Sequence, residues 1–388
     1  MENGDYVVAI DLGTNTVATV VGTRGEGGKV RIIDCEISPV QGVVRSEIKN
    51  VELVAQSIKR TTEAIEARQQ ITIREAYAGI SGQHIRCVKY PYYVFVGRDG
   101  EIREEDVQKL HESMGNVQAP DGETIIQIIP QNYIVDDEET MNPVGAFGNK
   151  LEAVFNFVLG DNNAVSRVKR ALQKVEIRQA GLFLNAVASA EAVATEDEKE
   201  EGVAVVDIGG GTTEIACISL GGIVCSESIN VAGDVFTEDI QTYIRQQHNM
   251  RIGERTAEDI KIAVGAALSE LDEEPEDFEV TGPNILTSLP SVLSISYSEM
   301  AYALEKSLVK IDAAIMKVLE MIPPELYADI AKKGVYLAGG GALLKGLDRR
   351  LYEKTNIPFH VADDPLRAVA RGTGIALKNI GRFSFLMK

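Results

Sequence analysis

Residues 203–218 read VAVVDIGGGTTEIACI, and this stretch decides the fold because the chain contains a second version of it. Residues 6–21 read YVVAIDLGTNTVATVV. In each stretch an apolar run ends in an aspartate, a glycine follows two residues later, a threonine follows five residues later, and a second apolar run comes next. Such self-similarity indicates a repeated structural unit. The sequence therefore predicts two related halves, each beginning with a strand, a tight turn and a second strand.

The segments between the paired apolar runs predict hairpin tips that can hold an anion. Their small residues let backbone N–H groups and hydroxyls approach a phosphate closely. Neither tip contains a lysine or leads into a helix, as a P-loop would. The aspartate before each tip ends a buried strand, where a carboxylate needs a cation, and hydrated Mg²⁺ is its natural partner. A tight turn with a capping aspartate is the alternative for either tip alone, and the duplication argues against it. The residues concerned are Asp11, Gly13, Thr14, Asn15 and Thr16 in the first half, and Asp207, Gly209, Gly210, Gly211, Thr212 and Thr213 in the second.

Both halves continue in the same order, which predicts an α/β fold of two lobes, each a mixed sheet flanked by helices. The segment 80–160 differs: two short strand pairs around a polar helix at 104–114 predict an inserted α+β subdomain. The charged stretch 196–201 is expected to be a surface connection. The predicted domains are a first-lobe core (1–79, 161–198 and 364–388), its insertion (80–160), a second-lobe core (199–238 and 301–363) and a second-lobe insertion (239–300).

A third glycine cluster, Gly339-Gly340-Gly341, lies between a predicted strand at 335–338 and a helix predicted over 342–351. Such a junction is a weak signal in isolation, but as a third cluster at a strand end it suits a surface that contacts a nucleoside. Glu258 and Lys261 have the i, i+3 spacing of neighbours on a helix, and they could bind a ribose and flank a base. A solvated ion pair explains the same spacing equally well.

Composition and charge exclude several functional classes. The net charge of −19 argues against binding of nucleic acid or of an anionic membrane by the body of the protein. No apolar run is long enough to span a bilayer, and the scattered cysteines lack metal-ligand spacing. The acidic start of the chain is unlike a signal peptide, so a cytoplasmic location is expected.

The end of the chain has the opposite character. From Pro365 onward it carries five basic residues and no acidic one. Its apolar residues fall on one side of a helix flanked by basic residues, which predicts a short membrane-binding segment. Docking of this segment on the body of the protein is one alternative, and a linker to an anchor beyond these residues is the other. The apolar residues are Ile380, Phe383, Leu386 and Met387.

Taken together, the three glycine motifs resemble the two phosphate motifs and the adenosine motif of the actin/Hsp70/sugar-kinase superfamily. Within that superfamily, further stretches are similar to the FtsA family of bacterial cell-division proteins, and the resemblance covers essentially the whole chain. These stretches are Ala78–Gly82, Pro130–Val135, Asn142–Gly145, Ala188–Ala192 and Ala257–Ile262.

The resemblance implies an actin-like two-lobed fold with ATP and Mg²⁺ as cofactors. It implies that Asp11 and Asp207 serve Mg²⁺ through water, that both hairpin tips and Gly233 contact the phosphates, and that Glu258, Lys261 and the third glycine cluster form the nucleoside pocket. It also implies head-to-tail filaments and a C-terminal anchor on the cytoplasmic side of the membrane at the division site. The implied partners are the C-terminal peptide of the tubulin-like protein FtsZ and other division proteins, with no nucleic acid.

Hydrolysis of ATP would require a group that orients a water towards the terminal phosphate. Actin-like relatives have a Gln or Glu at the end of the strand before the helix that contains Ala188–Ala192. The candidate here is Asn185, which is shorter and not a base, and Glu214 beyond the second tip is the other candidate. At most slow hydrolysis is expected, with ATP acting mainly as a clamp between the lobes.

Two other functions share these motifs. The C-terminal stretch also looks like the rod-shape protein MreB, notably at Gly346–Arg349 and Val369–Gly374. The insertion at 80–160 favours FtsA, because the first-lobe insertion of MreB lies elsewhere in the chain. A sugar- or acetate-kinase-type phosphotransferase would need a general-base carboxylate in the cleft, for which the sequence has no convincing candidate.

Overall fold

The computed structural model describes residues 6–24, 30–97, 99–140, 142–219 and 222–378. The first lobe begins with β1 (Tyr6–Leu12), β2 (Thr16–Arg24), β3 (Val30–Pro39), β4 (Val43–Val44), β5 (Glu47–Ile48), α1 (Val51–Gln69) and β6 (Glu75–Ile80). The insertion follows with β7 (Ile85–Phe95), α2 (Glu104–Met114), β8 (Glu123–Val135), β9 (Glu138–Thr140) and β10 (Lys150–Asp161). The first half then ends with α3 (Asn162–Gln173), β11 (Arg178–Leu184) and α4 (Asn185–Val193).

The second half begins with α5 (Glu196–Glu201), β12 (Val203–Ile208), β13 (Thr213–Ser219), β14 (Gly222–Ile229), α6 (Gly233–Gln247) and α7 (Glu254–Val264). It continues with β15 (Phe278–Pro283), β16 (Pro290–Ile295), α8 (Tyr297–Met321), α9 (Pro324–Lys333) and β17 (Val335–Ala338). The described chain ends with α10 (Leu347–Thr355), β18 (Phe359–Val361) and α11 (Ala368–Lys378), and α11 packs on α4 and β2 of the first lobe.

The two lobes contain equivalent five-stranded sheets, with strand orders β3-β2-β1-β6-β11 and β14-β13-β12-β17-β18. In each sheet the first three strands form an antiparallel meander, and the two later strands add in parallel beside the first. This topology confirms the predicted duplication and the mixed sheets. Because β1 and β12 are central strands, their residues up to the first turn are almost all buried.

The insertion differs from the prediction of two short strand pairs. It forms one antiparallel four-stranded sheet of order β7-β10-β8-β9, whose three main strands are long, and α2 covers one of its faces. The run from Phe157 to Leu159 on β10 is buried on consecutive residues. A strand that is covered on both faces shows no alternation of apolar and polar residues, so the sequence pattern underestimated its length.

The connection predicted at 196–201 is the short helix α5, whose first turn is capped by reciprocal hydrogen bonds between Thr195 and Glu198. One other local prediction was wrong. The helix predicted at 342–351 is a 3₁₀ turn (Gly340–Leu343) followed by α10, because Gly346 between them has a left-handed φ of 72°. The predicted domain boundaries at 198/199, 238/239 and 300/301 fall inside α5, α6 and α8, which run through them without a break.

An apolar cluster joins the lobes and the insertion. It includes Ile80 and Leu184 of the first lobe, Ile129 of the insertion, and Val205 and Ala338 of the second lobe. The sheets of the two lobes and the insertion therefore contribute to one shared core.

A buried polar contact supplements this joint. The Asn156 side chain on β10 is 1% exposed, and its Nδ2 donates to the carbonyl oxygens of Ile223 and Val224 at 2.9 and 3.0 Å. Those carbonyls belong to β14, the edge strand of the second-lobe sheet. The insertion thus satisfies backbone acceptors that would otherwise be buried without a partner.

We expect Asn156→Ala to lower the free energy of unfolding by roughly 1–3 kcal/mol, because it leaves two buried carbonyl groups without a donor. Urea unfolding followed by circular dichroism measures the change. Asn116→Ala, which truncates an exposed asparagine after α2, is the matched control. Equal midpoints for the two variants would contradict a stabilising role for Asn156.

Candidate functional site

The two predicted hairpin tips have the same backbone geometry. At the first tip the Gly13 N–H donates to the Thr16 carbonyl oxygen at 3.0 Å, and at the second the Gly209 N–H donates to the Thr212 carbonyl oxygen at 3.0 Å. In the flanking strands Asp11 pairs with Ala18, and Asp207 pairs with Glu214. The repeat seen in the sequence is therefore also a repeat in structure.

The tips face each other across the two lobes. A Cβ atom built on Gly211 would lie 2.6 Å from Oγ1 of Thr14, and one built on Gly210 would collide with the Asn15 amide. The Asn15 side chain also crosses to the second lobe, where its Nδ2 donates to Oδ1 of Asp234 at 3.1 Å. Only glycine permits so close an approach of the second tip to the first.

Two carboxylates lie buried behind the tips, where the sequence predicts them. Burial, and then the charge of Asp207, raise the pKa of Asp11 to about 7, against a hydrogen bond from Asn185 that lowers it. Burial also raises the pKa of Asp207, while the Ser189 hydroxyl donates to its Oδ2 at 2.6 Å and opposes the shift. Since the charge of one aspartate shifts the pKa of the other, both carboxylates face the same region between the lobes.

Glu214 brings a third carboxylate to this region. Burial, and then the charge of Asp207, raise its pKa to about 8, although the Gly82 N–H and the Ser81 hydroxyl hydrogen-bond to it. Its Oε1 is buried and has no hydrogen-bond partner among the described residues. No basic side chain of the described residues lowers the pKa of these three acidic groups. Such a cluster of carboxylates favours binding of a cation.

Asn185 lies at the start of α4, directly beside this cluster. Its Nδ2 donates to Oδ1 of Asp11 at 2.8 Å and to the Ser81 hydroxyl at 3.5 Å. Its Oδ1 is buried and has no partner within the described part of the chain. Asn185 is thus close to the carboxylates, and its amide nitrogen already donates to one of them.

The start of α6 packs on the second tip. The Gly233 N–H donates to the Gly209 carbonyl oxygen at 3.1 Å, which places Gly233 beside the second tip. Lys261 on α7 donates to the Gly233 carbonyl oxygen at 2.9 Å and to Oε2 of Glu258 at 2.6 Å. The ion pair that was one explanation of the Glu258–Lys261 spacing is therefore formed, and it adjoins the tip; its role towards a nucleoside stays a prediction.

The third glycine cluster reaches the same edge of the second-lobe sheet, because Ala338 of β17 pairs with Asp207 of β12. Gly339 has a φ of 79°, and a Cβ atom built there would lie 2.5 Å from Oδ1 of Asp207. Gly340 and Gly341 continue into the 3₁₀ turn that follows. All three sequence motifs therefore converge on one site.

Sequence reasoning did not assign Ser81 and Ser189, which hydrogen-bond to the buried carboxylates. Both occur in stretches that carry the family resemblance, and that was the available signal. The predicted membrane residues Ile380, Phe383, Leu386 and Met387 lie outside the described residues. None of the described helices is long and apolar enough to cross a bilayer. Likewise, the described residues contain no cluster of three or more His, Cys, Asp or Glu side chains placed to bind a metal ion by themselves.

Two protein-family models match the chain. The model of the MreB/Mbl protein matches residues 162–384, and the model of the SHS2 domain inserted in FtsA matches residues 82–159. The second match coincides with the inserted subdomain predicted at 80–160.

Similar proteins include members of both groups. The cell shape-determining protein Mbl of Bacillus cereus is 38% identical over 291 residues, which cover 72% of this chain and 85% of Mbl. The cell division protein FtsA of Pseudomonas aeruginosa is 29% identical over 390 residues, which cover 98% of this chain and 90% of FtsA.

Solved structures share the fold. MreB5 of Spiroplasma citri bound to ADP superposes with a TM-score of 0.65 at 22% identity and covers 99% of both chains. The MamK double helical filament gives a TM-score of 0.59 at 14% identity over 97% of this chain and 98% of MamK. These likenesses confirm the actin-like two-lobed fold.

The raised pKa of Asp11 predicts a pH-dependent effect of Asp11→Asn on the nucleotide-free protein. Because the pKa is about 7 in the folded protein and near 4 in the unfolded chain, the native state binds the proton more tightly. The stabilisation from that proton is present below pH 4 and is lost as the pH rises towards 7 and above. Asn cannot ionise, so the variant should exceed the wild type in stability by roughly 1–3 kcal/mol at pH 8, with little difference near pH 4.

Urea unfolding at pH 4.5, 6 and 8 would measure this difference, with Asp121→Asn at an exposed turn as the control. A difference between Asp11→Asn and the wild type that stays constant with pH would show that Asp11 has an ordinary pKa.

Proposed function

The chain belongs to the MreB/Mbl family and carries the SHS2 insertion of FtsA, and from that premise we propose that it is an ATP-binding, filament-forming cell-division protein. In this proposal it tethers FtsZ filaments to the cytoplasmic membrane at the division site. The observation that carries the proposal is the pair of equivalent hairpin tips that face each other with Asp11 and Asp207 buried behind them.

In the proposed site, the N–H groups and hydroxyls of Gly13–Thr16 and Gly209–Thr213 hold the phosphates of one nucleotide from two sides. Asp11 and Asp207 hold Mg²⁺ through water, and the ion supplies positive charge against the phosphates. Two features support the fit: burial raises the pKa values of the carboxylates, and Asn185 and Glu214 each have a buried acceptor atom without a partner among the described residues. Gly233 is assigned to the phosphate side, and the nucleoside is assigned to Glu258, Lys261 and Gly339–Gly341.

A nucleotide that binds both tips favours the arrangement in which the lobes lie close together. It does so only to the extent that it contacts both lobes at once. ATP then acts as a clamp that selects one relative position of the lobes. The contacts between subunits of the filament form in that position. The filament formed by MamK, which has the same fold, supports self-association here.

A cell-shape role of the MreB type is the second candidate. The observation that favours it is the 38% identity to Mbl, against 29% identity to FtsA. The SHS2 match favours the FtsA-type role, because that domain is described as an insertion in FtsA. Binding of the FtsZ C-terminal peptide separates the two functions.

Slow hydrolysis is proposed from the environment of Asn185. An amide is not a base, and the Asn185 Nδ2 already donates to Asp11. A water near the terminal phosphate would therefore lack a carboxylate or a longer amide at this position to orient it.

We expect the wild-type protein to sediment in an ATP- and Mg²⁺-dependent way as its concentration rises, because the clamped form assembles. Asp207→Asn should abolish this sedimentation, since it removes a charge assigned to Mg²⁺, whereas Asp121→Asn should leave it intact.

We expect the full chain to bind vesicles that contain anionic lipid. Removal of residues 380–388 should abolish this binding.

Two further results separate the candidate functions and test the clamp. Saturable binding of an FtsZ C-terminal peptide supports the division role, and its absence alongside normal filaments would favour the cell-shape role. Sedimentation that ignores ATP, or that persists unchanged in Asp207→Asn, would contradict the clamp.

We further expect ATP turnover below the range of about 1–100 s⁻¹ that is typical of kinases. Asn185→Gln should raise turnover several-fold, because the longer amide extends towards the terminal phosphate. Phosphate release measured under assembling conditions tests both statements. Wild-type turnover within the kinase range would refute the role assigned to Asn185.

A further inference from the structure

A third turn contacts both hairpin tips. It is the two-residue loop between β4 and β5, in which Val44 pairs with Glu47 and the two residues between them have left-handed φ values of 52° at Arg45 and 59° at Ser46. Two-residue hairpin loops of this kind normally contain Asn and Gly, because other residues adopt a positive φ at a cost in free energy. A strained conformation of this kind persists only where surrounding contacts hold it in place.

Those contacts come from the two lobes together. The Ser46 N–H donates to Oγ1 of Thr14 on the first tip at 3.0 Å, and the Ser46 hydroxyl hydrogen-bonds with the Thr212 hydroxyl on the second tip at 2.7 Å. The backbone of Arg45 lies against Gly211, where a Cβ atom would come within 2.7 Å of the Arg45 Cα. The turn therefore lies where the two tips meet.

Arg45 supplies a positive charge next to the two tips. Neither tip contains a lysine or arginine, and the buried carboxylates of Asp11 and Asp207 lie behind them beside the partly buried Glu214. Lys261, the cation next to Gly233, already pairs with Glu258. Arg45 is exposed, and its guanidinium makes no hydrogen bond or ion pair with the described residues.

The position of the turn indicates which part of a nucleotide it would meet. Elements assigned to the nucleoside lie near the beginning of the second tip: Gly339 abuts Asp207, which precedes the tip, and Lys261 donates to the Gly233 carbonyl oxygen. The Arg45–Ser46 turn contacts the other end of that tip, at Gly211 and Thr212. The turn is thus on the side of the tip away from the nucleoside elements.

We propose that Arg45 binds the terminal phosphate of a nucleoside triphosphate, and that this contact makes the site prefer the triphosphate to the diphosphate. The inference rests on the proposed nucleotide site. An arginine suits the task because its planar guanidinium can donate two parallel hydrogen bonds to phosphate oxygens. Ser46 positions the turn by bonding to both tips, so the arginine is presented when the tips are together.

The test is isothermal titration calorimetry, in which the wild type and the variants are titrated with AMPPNP or with ADP in the presence of Mg²⁺. Arg45→Gln should weaken AMPPNP binding roughly tenfold or more and change ADP binding by less than about threefold, because a charged hydrogen bond to the terminal phosphate is lost. Arg45→Lys should recover part of the AMPPNP affinity. Arg60→Gln, at an exposed position on α1, is the matched control and should leave both affinities unchanged.

The outcomes distinguish failure of the role proposed for Arg45 from failure of the proposed nucleotide site. If the wild type binds both nucleotides and Arg45→Gln weakens them equally, or weakens neither, the role of Arg45 is overturned while the nucleotide site stands. If the wild type binds neither nucleotide, the proposed function and the role of Arg45 are both overturned. Thermal unfolding of each variant without nucleotide checks that the exposed substitution leaves the fold intact.

Discussion

Two like charges held close together in a buried place are the constraint on which the rest of the structure depends. Asp11 and Asp207 end equivalent central strands of two duplicated sheets, so the fold itself directs them at the same region. Burial of like charges costs free energy, and hydrogen bonds from Asn185 and Ser189 offset only part of that cost. The protein therefore maintains an electrostatically incomplete site, which binding of a cation together with an anionic ligand would complete.

The same region joins the parts of the molecule mechanically. Gly211 has no room for a side chain because the first tip and the Arg45–Ser46 turn occupy the space, so the lobes meet nearly backbone to backbone. The insertion is attached at this joint through Ser81 and Gly82, which bond to Glu214, and through Asn156 on the edge of the second-lobe sheet. A change in the spacing of the tips would therefore reach the insertion through direct contacts.

The sequence predicted the parts of this arrangement that repeat or that depend on local chemistry. The duplicated strands, the glycine tips and the bounds of α2 all follow from patterns within a few residues, and all are confirmed. The sheet of the insertion was not predicted correctly, because burial on both faces removes the alternation by which strands are recognised. The Arg45–Ser46 turn was missed for a different reason: its left-handed residues are held by contacts from Thr14 and Thr212, which are distant in sequence. No local pattern encodes a conformation that tertiary contacts impose.

An experimental structure determined with Mg²⁺ and AMPPNP would test the central claim most directly. We expect the phosphates to lie between Gly13–Thr16 and Gly209–Thr213, with a hydrated ion between the carboxylates of Asp11 and Asp207. A nucleotide bound elsewhere, or one that touches the tip of a single lobe, would contradict it.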